Sequence, residues 1–222
     1  MTELLNIAHL FPENVTTYCC RINDYTDKLH PEEKNIISRS IDKRKKEFST
    51  GRRCIRKALI LKGIHKAPIL QNENGRPLWP ENFTGTISHS NSWAGAAISK
   101  TKDITGVGFD IETVGRIKDR MLKRIITDRE AEQLKELNKQ KAQNYAALIF
   151  SAKEAIYKAL SPIYAETLRF KDVSILCKNN SPEFEIELNN GLKSFLKNVR
   201  LFCRYFIYEN DIFTAVTFLK NS

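Results

Sequence analysis

Hydrophobic and polar residues alternate with a period of two in several short segments, which is the pattern of half-buried strands. In residues 107–112, Val, Phe and Ile alternate with Gly, Asp and Glu. This alternation predicts a strand with one apolar face and one face that carries carboxylates. Strands are also predicted over 15–22, 84–90, 93–99, 173–177, 184–188, 201–208 and 212–219.

Helical periodicity, with apolar residues three and four positions apart, predicts helical structure over 31–62, 121–137 and 145–160. Pro31 with two following glutamates is typical of a helix start, and Ser49-Thr50-Gly51 predicts a break inside the first region. Each half of the chain mixes helices with antiparallel-type strands, so the predicted fold class is α+β. No internal repeat is recognisable in the sequence.

Two arginines fall on the apolar side of the helical region 31–62. At about 100° per residue, Arg52 lies in the middle of the apolar stripe and Arg44 lies at its edge. The stripe consists of Ile37, Ile41, Phe48, Ile55 and Leu59. Since burying an unpaired charge is costly, inward guanidinium groups need a partner. The pattern therefore indicates an internal anion site.

The positive charge of the chain is concentrated around these arginines. Among 222 residues, 36 are basic and 26 are acidic, and the 12 basic and two acidic residues of 34–66 hold the whole net charge of +10. Such a patch implies a polyanionic partner: nucleic acid, an acidic protein, a membrane surface or a phosphorylated small molecule. For Lys45, Lys46, Arg53 and Lys57 a solvated helix face is the preferred explanation.

The composition excludes several classes of protein. With 41% apolar residues the chain can bury a core, and no apolar run approaches the ~20 residues of a membrane helix. The N-terminal residues do not have the pattern of a signal peptide. Five cysteines without a C-x-x-C spacing predict neither a disulfide framework nor a zinc site, so we expect free thiols in a reduced cytosol.

Carboxylates in two predicted elements suggest a metal site. Asp110 and Glu112 are two apart on a strand, so both lie on one face, and an all-oxygen pair suits Mg²⁺ or Mn²⁺. Two acids on an exposed edge strand are the commoner explanation. Glu154 and Lys158 are four apart on the helix 145–160. They lie on the far side from the core stripe of this helix, where an ordinary surface pair is the simplest explanation. Phe150 and Tyr157 flank them on that same side, so the helix is apolar nearly all round and the pair is expected to line a cleft.

Four segments, in this order along the chain, resemble the motifs of 4′-phosphopantetheinyl transferases. They are Lys43–Arg52 (KRKKEFSTGR), Gly75–Ser90 with its GRPLWP and GTISHS parts, Val107–Glu112 (VGFDIE) and Phe150–Ala159 (FSAKEAIYKA). The match is to the two-lobed (Sfp-type) class, and the first segment is similar to the enterobactin-synthetase-component-D-like branch. Ser90 departs from the pattern, because many relatives have Cys at this position.

The resemblance implies two similar α+β lobes, residues 1–103 and 104–222, related by a pseudo-twofold axis with coenzyme A in the cleft between them. It implies transfer of the 4′-phosphopantetheine arm from coenzyme A to a serine of an apo acyl or peptidyl carrier protein, with release of adenosine 3′,5′-bisphosphate. We expect a cytoplasmic monomer with no membrane span and no nucleic-acid partner. The motifs do not distinguish carriers of siderophore, polyketide, nonribosomal peptide and fatty-acid synthesis.

The resemblance also assigns site residues. It places Mg²⁺, with Mn²⁺ as an alternative, at Asp110, Glu112 and Glu154, and Ile111 contributes through its backbone or a water. We expect Asp110, Glu154 and Lys158 to be catalytic; Glu154, or a metal-bound water that it orients, is the base, and Lys158 stabilises or protonates the leaving phosphate. The residues expected to hold coenzyme A are Arg44, Arg52, Gln71, Asn72, Glu73, Asn74, Arg76, Ser88, His89, Asp110, Glu154 and Lys158.

Other interpretations stay open. Lys153 either packs or touches the pyrophosphate, and a lone histidine such as His89 more often has a structural role. A nucleic-acid-binding protein would use the basic stretch 34–66, but this function leaves the acids near Lys158 unexplained. A degenerate transferase lobe used as a scaffold would not need the intact set of acids.

Overall fold

The computed structural model describes residues 2–65, 68–164, 166–177 and 181–220. The strands within these ranges are β1 (Thr16–Arg21), β2 (Phe83–His89), β3 (Trp93–Lys100), β4 (Ile104–Thr113), β5 (Val173–Cys177), β6 (Phe184–Leu188), β7 (Val199–Tyr208) and β8 (Asp211–Lys220). The helices are α1 (Pro31–Ile36), α2 (Asp42–Ile60), α3 (Asp119–Ile125), α4 (Asp128–Lys135), α5 (Lys139–Leu160) and α6 (Asn190–Phe195). Helices and strands are mixed throughout, which confirms the α+β class.

Two three-stranded antiparallel sheets have the same internal arrangement. Their strand orders are β1-β3-β2 and β4-β8-β7, and β5 pairs with β6 as a separate hairpin. In both halves the chain runs from an edge strand through a long helix into a hairpin whose second strand becomes the centre of the sheet. The elements β1, α2, β2 and β3 thus correspond to β4, α5, β7 and β8. The repeat that the sequence does not reveal is visible in this topology; the lobe boundary at residues 103 and 104 stays a prediction.

Strand β4 packs on both halves of the protein because its two faces differ. Its odd-numbered residues Val107, Phe109 and Ile111 are buried in an apolar cluster that also contains Trp93 and Phe213 from the two central strands. Its even-numbered face lies under α5 and carries glycines first and carboxylates afterwards. The alternation predicted over 107–112 therefore separates a shared core from the face that carries Asp110 and Glu112.

Glycines on β4 let α5 approach the sheet closely. A Cβ atom at Gly108 would lie 1.8 Å from the carbonyl oxygen of Ala155, and one at Gly106 would lie 2.5 Å from that of Ala159. Both alanines are fully buried. Small residues on the helix and on the strand thus bring Glu154 next to the carboxylates further along β4.

Side-chain hydroxyls connect the two sheets where β2 meets β4. Thr86 Oγ1 accepts a hydrogen bond from the backbone N–H of Phe109 (3.2 Å), and Ser88 Oγ accepts one from Ile111 (3.3 Å). Thr86 and Ser88 are two apart on one strand, so they share a face. The hydroxyls satisfy backbone groups of β4 at the junction of the sheets.

The predicted helix break at Ser49-Thr50-Gly51 is wrong, because these residues lie inside α2. Thr50 Oγ1 donates a hydrogen bond to the carbonyl oxygen of Lys46 (2.8 Å) and accepts one from the N–H of Asn23 (3.1 Å). These residues are buried, so tertiary packing overrides their tendency to form turns. The interruption lies between α1 and α2, and Ile41 there is 73% exposed rather than part of the apolar stripe.

Other element boundaries also differ from the predictions. The region 121–137 forms two helices, because Thr127 begins α4 with a reciprocal capping box to Glu130. Helix α5 begins at Lys139, β4 begins at Ile104 rather than at residue 107, and α6 was not predicted. None of the described helices has the length and apolar character to cross a membrane. The five cysteines are free thiols.

Candidate active site

A cavity of about 510 Å³ lies between α2, the loop 71–77, β2 and the C-terminal end of α5. Its walls are strongly basic. The lining includes Arg44, Arg52, Arg76, His89 and Lys158, with Gln71 and Asn72 at the loop. Residues from four separate parts of the sequence thus converge on one cavity, and most of those predicted to hold coenzyme A are among them.

Arg52 is the buried cation of this cavity, as its place on the apolar stripe predicted. Its side chain is 4% exposed, its guanidinium lies 4.2 Å above the Phe48 ring, and its Nε is 3.7 Å from Glu33 Oε1. Burial lowers the pKa of Arg52 to about 10, although Glu33 opposes this shift. Within the described residues, Nε and one terminal nitrogen have no hydrogen-bond acceptor. A buried guanidinium with unused donors fits an anionic ligand.

Arg44 lies at the rim of the cavity instead of facing inward, and its side chain is 46% exposed. Its guanidinium is 2.9 Å from His89 Nε2. Since a guanidinium can only donate, His89 accepts through Nε2, and the proton of the neutral ring is on Nδ1, 3.8 Å from Glu47. Burial lowers the pKa of His89, Glu47 opposes this, and Arg44 and Lys158 reinforce it.

The loop 71–76 uses one of its predicted ligand residues to hold its own shape. Asn72 Oδ1 accepts hydrogen bonds from the backbone N–H groups of Asn74 and Arg76, both at 3.0 Å. Gly75 has φ +74°, a conformation that glycine adopts without strain. Gln71 and Asn72 line the main cavity, whereas Glu73 is exposed and is not part of its lining.

Arg76 connects this loop to α5. It donates to the carbonyl oxygen of Ser161 (2.9 Å) and to the Tyr157 hydroxyl (3.1 Å). A smaller cavity of about 340 Å³ beside it is lined by Asn74, Tyr157 and Glu166, among others. Arg76 therefore has a structural contact in addition to its predicted ligand role. Sequence reasoning did not reveal this contact, because it joins residues that are distant in the chain.

Asp110 is buried and does not line the main cavity, but it pairs with Lys158, which does. Lys158 Nζ donates to Asp110 Oδ1 (2.6 Å), to Ser88 Oγ (3.0 Å) and to the carbonyl oxygen of Phe109 (3.2 Å). Ser88 in turn donates to Asp110 Oδ1 (2.8 Å). Ser88 therefore bridges β2, β4 and α5. Ser88 therefore has a structural role in addition to its predicted contact with coenzyme A, since it orients the Asp110 carboxylate and the Lys158 ammonium group.

Two further carboxylates lie beside Asp110. Glu112 is 4% exposed and accepts a hydrogen bond from Arg116 (2.9 Å). Glu154, half-buried on α5, makes no hydrogen bond or ion pair with any described residue. Among the described residues, no three or more His, Cys, Asp or Glu side chains are placed so that together they could hold a metal ion. The ligand set at Asp110, Ile111, Glu112 and Glu154 therefore stays a prediction.

The electrostatics of the three carboxylates nevertheless fit a divalent cation. Burial raises the pKa of Glu154; Lys158 opposes the shift, and Asp110 and Glu112 add to it. Burial also raises the pKa of Glu112, where Arg116 opposes and Asp110 reinforces the shift. Three acids that repel one another in a partly buried place favour a bound positive charge, and their oxygen donors suit Mg²⁺ or Mn²⁺.

Glu154 lines a second, mostly apolar cavity of about 190 Å³. Its walls include Tyr157, Leu168, Phe170 and Val173, and the Phe170 ring stacks on Phe150 at 5.9 Å. Tyr157 lines this cavity and the main one, so the two cavities are neighbours at this residue. The sequence signal for it was Phe150 and Tyr157 on the side of α5 that carries Glu154.

Glu154→Gln is expected to raise thermal stability at neutral pH, and the gain disappears in acid. Because folding raises the pKa of Glu154, the protonated carboxyl stabilises the folded protein below the unfolded-state pKa, and this stabilisation is lost as the pH rises through the folded-state pKa. The neutral amide of glutamine does not lose it. Thermal melts of both proteins across the acidic and neutral range measure this. Glu13→Gln, at an exposed position, is the control. A gain that is equal at every pH would contradict the expectation.

Comparison with known proteins identifies the family. The 4′-phosphopantetheinyl transferase N-terminal domain matches residues 32–99, and the 4′-phosphopantetheinyl transferase superfamily matches residues 106–206. The chain belongs to the 4′-phosphopantetheinyl transferase superfamily. The resemblance inferred from the four motifs is thus confirmed, and so is the expectation that the protein is an enzyme. Its location, oligomeric state and individual site residues stay predictions.

The alignments with three named relatives span about two thirds of the length of each relative. The 4′-phosphopantetheinyl transferase Svp of Streptomyces mobaraensis is 31% identical over 75% of this chain and 68% of its own. PptT of Mycobacterium tuberculosis is 34% identical over 68% and 66%, and enterobactin synthase component D of Salmonella typhi is 29% identical over 79% and 72%. These comparisons give no support to the nucleic-acid-binding alternative.

Among solved structures, a holo-(acyl-carrier-protein) synthase from Bacillus anthracis in complex with CoA (3′,5′-ADP) is similar. It has a TM-score of 0.45 and 20% identity over 54% of this chain and 99% of its own. A holo-[acyl-carrier-protein] synthase from Neisseria meningitidis has a TM-score of 0.44 and 24% identity.

Proposed function

We propose that this transferase moves the 4′-phosphopantetheine arm of coenzyme A to a serine of an apo acyl or peptidyl carrier protein, with Mg²⁺ or Mn²⁺ at the carboxylates. The other product is adenosine 3′,5′-bisphosphate. The observation that carries the proposal is the position of Arg52. This buried guanidinium has unused donors and lines the same cavity as Lys158, which pairs with Asp110.

The basic cavity suits the phosphates of coenzyme A. Arginine holds phosphate through two parallel hydrogen bonds, so Arg52 is assigned to the 3′-phosphate, with Arg44 and His89 at the rim. The loop 71–76 covers the adenosine side. Lys158, which lines the same cavity, is assigned to the pyrophosphate.

Asp110, Glu112 and Glu154 would hold the divalent cation. When bound, it supplies positive charge that polarises the pyrophosphate and neutralises charge on the leaving bisphosphate. Asp110 is already oriented by Ser88 and Lys158, and Glu112 is held by Arg116. These contacts support the proposed site at the junction of β4 and α5.

In the transfer step, the serine oxygen bonds to the phosphorus that carries the pantetheine arm, and the bond from that phosphorus to the bisphosphate oxygen breaks. Glu154 is the proposed acceptor of the serine proton, since it has no hydrogen-bond donor among the described residues and burial raises its pKa. Lys158 donates to the leaving phosphate, where negative charge develops. The apolar cavity that Glu154 lines suits the pantetheine arm.

Incubation with coenzyme A, Mg²⁺ and a panel of apo carrier proteins tests the proposed function. We expect the intact mass of at least one carrier to rise by the mass of the phosphopantetheine arm, and only when a serine is available. A panel with siderophore, polyketide, nonribosomal peptide and fatty-acid carriers also identifies the client. Steep salt-dependent DNA binding without any mass gain would contradict the proposal.

Arg52→Ala is expected to remove the preference for coenzyme A over its 3′-dephospho form. A hydrogen bond to a charged group contributes about 1.5–3 kcal/mol, so the preference falls by about 10- to 100-fold. The ratio of kcat/KM for the two donors measures it. Arg53→Ala is the matched control, because Arg53 stacks on Tyr25 outside the cavity lining. A variant with the full wild-type preference would show that Arg52 is structural.

A further inference from the structure

Two buried glutamates occupy corresponding places in the two halves of the protein. Glu33 and Glu130 are both 0% exposed. Each lies at the third position of the short helix before the long one and closes a capping box. Glu33 Oε2 accepts the N–H of His30 (3.0 Å), and Glu130 Oε2 accepts that of Thr127 (2.8 Å). The same local structure therefore precedes α2 and α5.

Each glutamate pairs with a basic residue that follows it by 23 positions on the long helix. Arg56 donates to both oxygens of Glu33, at 2.7 and 2.9 Å. Lys153 donates to Glu130 Oε2 at 2.7 Å and is itself 3% exposed. The equal spacing is an internal repeat that pairwise residue identity does not reveal, since Arg stands in one half and Lys in the other.

The remaining glutamate oxygen in each half accepts a backbone N–H from the segment after the long helix. Ile69 donates to Glu33 Oε1 (3.0 Å), and Ile175 donates to Glu130 Oε1 (2.8 Å). Each pair thus fastens three pieces of chain together: a helix start, the long helix and the following segment. Buried charges with this number of partners hold their surroundings in one geometry.

In the N-terminal half, the pair sets the position of Arg52. Arg52 precedes Arg56 by about one helical turn, and its Nε is 3.7 Å from Glu33 Oε1, longer than the contacts of Arg56. Because Arg56 satisfies the carboxylate, the Arg52 guanidinium remains available to the cavity. Without Arg56, the buried carboxylate would draw Arg52 toward itself and away from the ligand.

In the C-terminal half, the pair sets the position of Glu154, which directly follows Lys153. Lys153 Nζ also donates to the carbonyl oxygen of Ile125 (2.8 Å), the last residue of α3. Lys153 thereby ties α5 to the end of α3 and, through Glu130, to α4 and β5. These contacts use its ammonium group inside the protein. The side chain of Lys153 lines the apolar cavity next to Glu154 but is not part of the lining of the main cavity.

We propose that these are two matched positioning pairs with separate tasks: Glu33–Arg56 sets Arg52 for coenzyme A binding, and Glu130–Lys153 sets Glu154 for the transfer step. The proposal rests on the proposed function. Lys153 is accordingly a positioning residue and does not touch the pyrophosphate. The two halves thus contain the same glutamate–base pair, which supports coenzyme A binding in the N-terminal half and the transfer step in the C-terminal half.

Arg56→Met and Lys153→Met test the separation of tasks. We expect Arg56→Met to raise the KM for coenzyme A by about tenfold with kcat close to wild type, because ligand binding is lost. We expect Lys153→Met to lower kcat by about tenfold or more with KM within about twofold, because a small displacement of a reacting group slows the chemical step. Steady-state kinetics with a carrier that the wild type loads give both values.

Controls separate positioning from general destabilisation. Arg56→Lys and Lys153→Arg give each half the basic residue of the other half. We expect Arg56→Lys to keep most of the wild-type affinity for coenzyme A and Lys153→Arg to keep most of the wild-type kcat. Val15→Ala is expected to lower the melting temperature, because Val15 is buried in an apolar cluster separate from those of Ile69, Ile125 and Ile175, which bind the two pairs. Kinetics of this variant show whether lower stability alone changes kcat or KM.

Calorimetric binding of coenzyme A distinguishes failure of this proposal from failure of the proposed function. Arg56→Met is expected to weaken binding. Lys153→Met is expected to leave binding unchanged, because methionine keeps an unbranched apolar side chain in the lining of the apolar cavity and removes only the buried ammonium group. Equal affinities of the two variants, equal changes of kcat and KM in both, or wild-type kcat in Lys153→Met would overturn the positioning pairs. A wild type that loads no carrier would overturn the proposed function, and the binding contrast would still decide the task assigned to Glu33–Arg56.

Discussion

Asp110→Asn is expected to lower carrier loading by about 10³-fold, the upper range for loss of one preorganised electrostatic group at a reacting centre. The substitution keeps the size of the side chain but removes the charge that lies 2.6 Å from Lys158 and that would bind the divalent cation. Lys158 then loses its ionic partner. Initial rates of mass gain on an apo carrier measure the effect, and excess Mg²⁺ is expected to give little rescue.

Asp211→Asn is the matched control for this prediction. Asp211 is also a buried aspartate, at the start of β8, where it accepts a hydrogen bond from Thr113 (2.7 Å) away from the cavity lining. We expect this variant to lose stability but to keep its transfer activity. Wild-type turnover in EDTA would contradict the metal part of the proposal, and an active Asp110→Asn variant would contradict the electrostatic part.

Gly108→Ala is expected to destabilise the protein by about 3 kcal/mol, the upper range for overpacking. The added Cβ would lie 1.8 Å from the Ala155 carbonyl oxygen, and the nearest atoms belong to the backbone of α5, so no side-chain rotation relieves the clash. The helix must move away from β4, which also separates Glu154 from Asp110. A drop of about 10 °C in melting temperature is expected for a chain of this size.

Gly191→Ala is the comparison for this substitution. A Cβ there would meet Asn189 Oδ1 at an ordinary distance of 3.6 Å, and the residue lies in the short helix α6. We expect a melting temperature equal to or slightly above that of the wild type. If Gly108→Ala melts with the wild type, the close contact between α5 and β4 is not a requirement of the fold.

Local periodicity was sufficient to predict the elements that carry the site. The alternation of 107–112 predicted a strand with Asp110 and Glu112 on one face, and the helix 145–160 was predicted with Glu154 and Lys158 on its far side. The position of Arg52 among apolar residues predicted its burial. These predictions held because each depends on residues within one strand or helix, where period and spacing determine direction.

Predictions that required contacts between distant residues were less successful. The sequence suggested a break at Ser49-Thr50-Gly51, but packing of α2 against the segment at Asn23 keeps the helix continuous. It placed Arg44 inward, whereas Arg44 lies at the rim beside His89. The internal repeat was also missed, because it consists of corresponding contacts rather than of identical residues.

The amino-acid sequence by itself determined the family, the α+β class, the four motifs and the faces on which their side chains lie. The tertiary structure alone decided which of those side chains meet: Lys158 with Asp110, Arg76 with Ser161, and the buried glutamates with bases 23 positions away. The physical reason is that periodicity acts over one turn or one pleat, whereas burial of a charge is favourable only when a partner arrives from elsewhere in the chain.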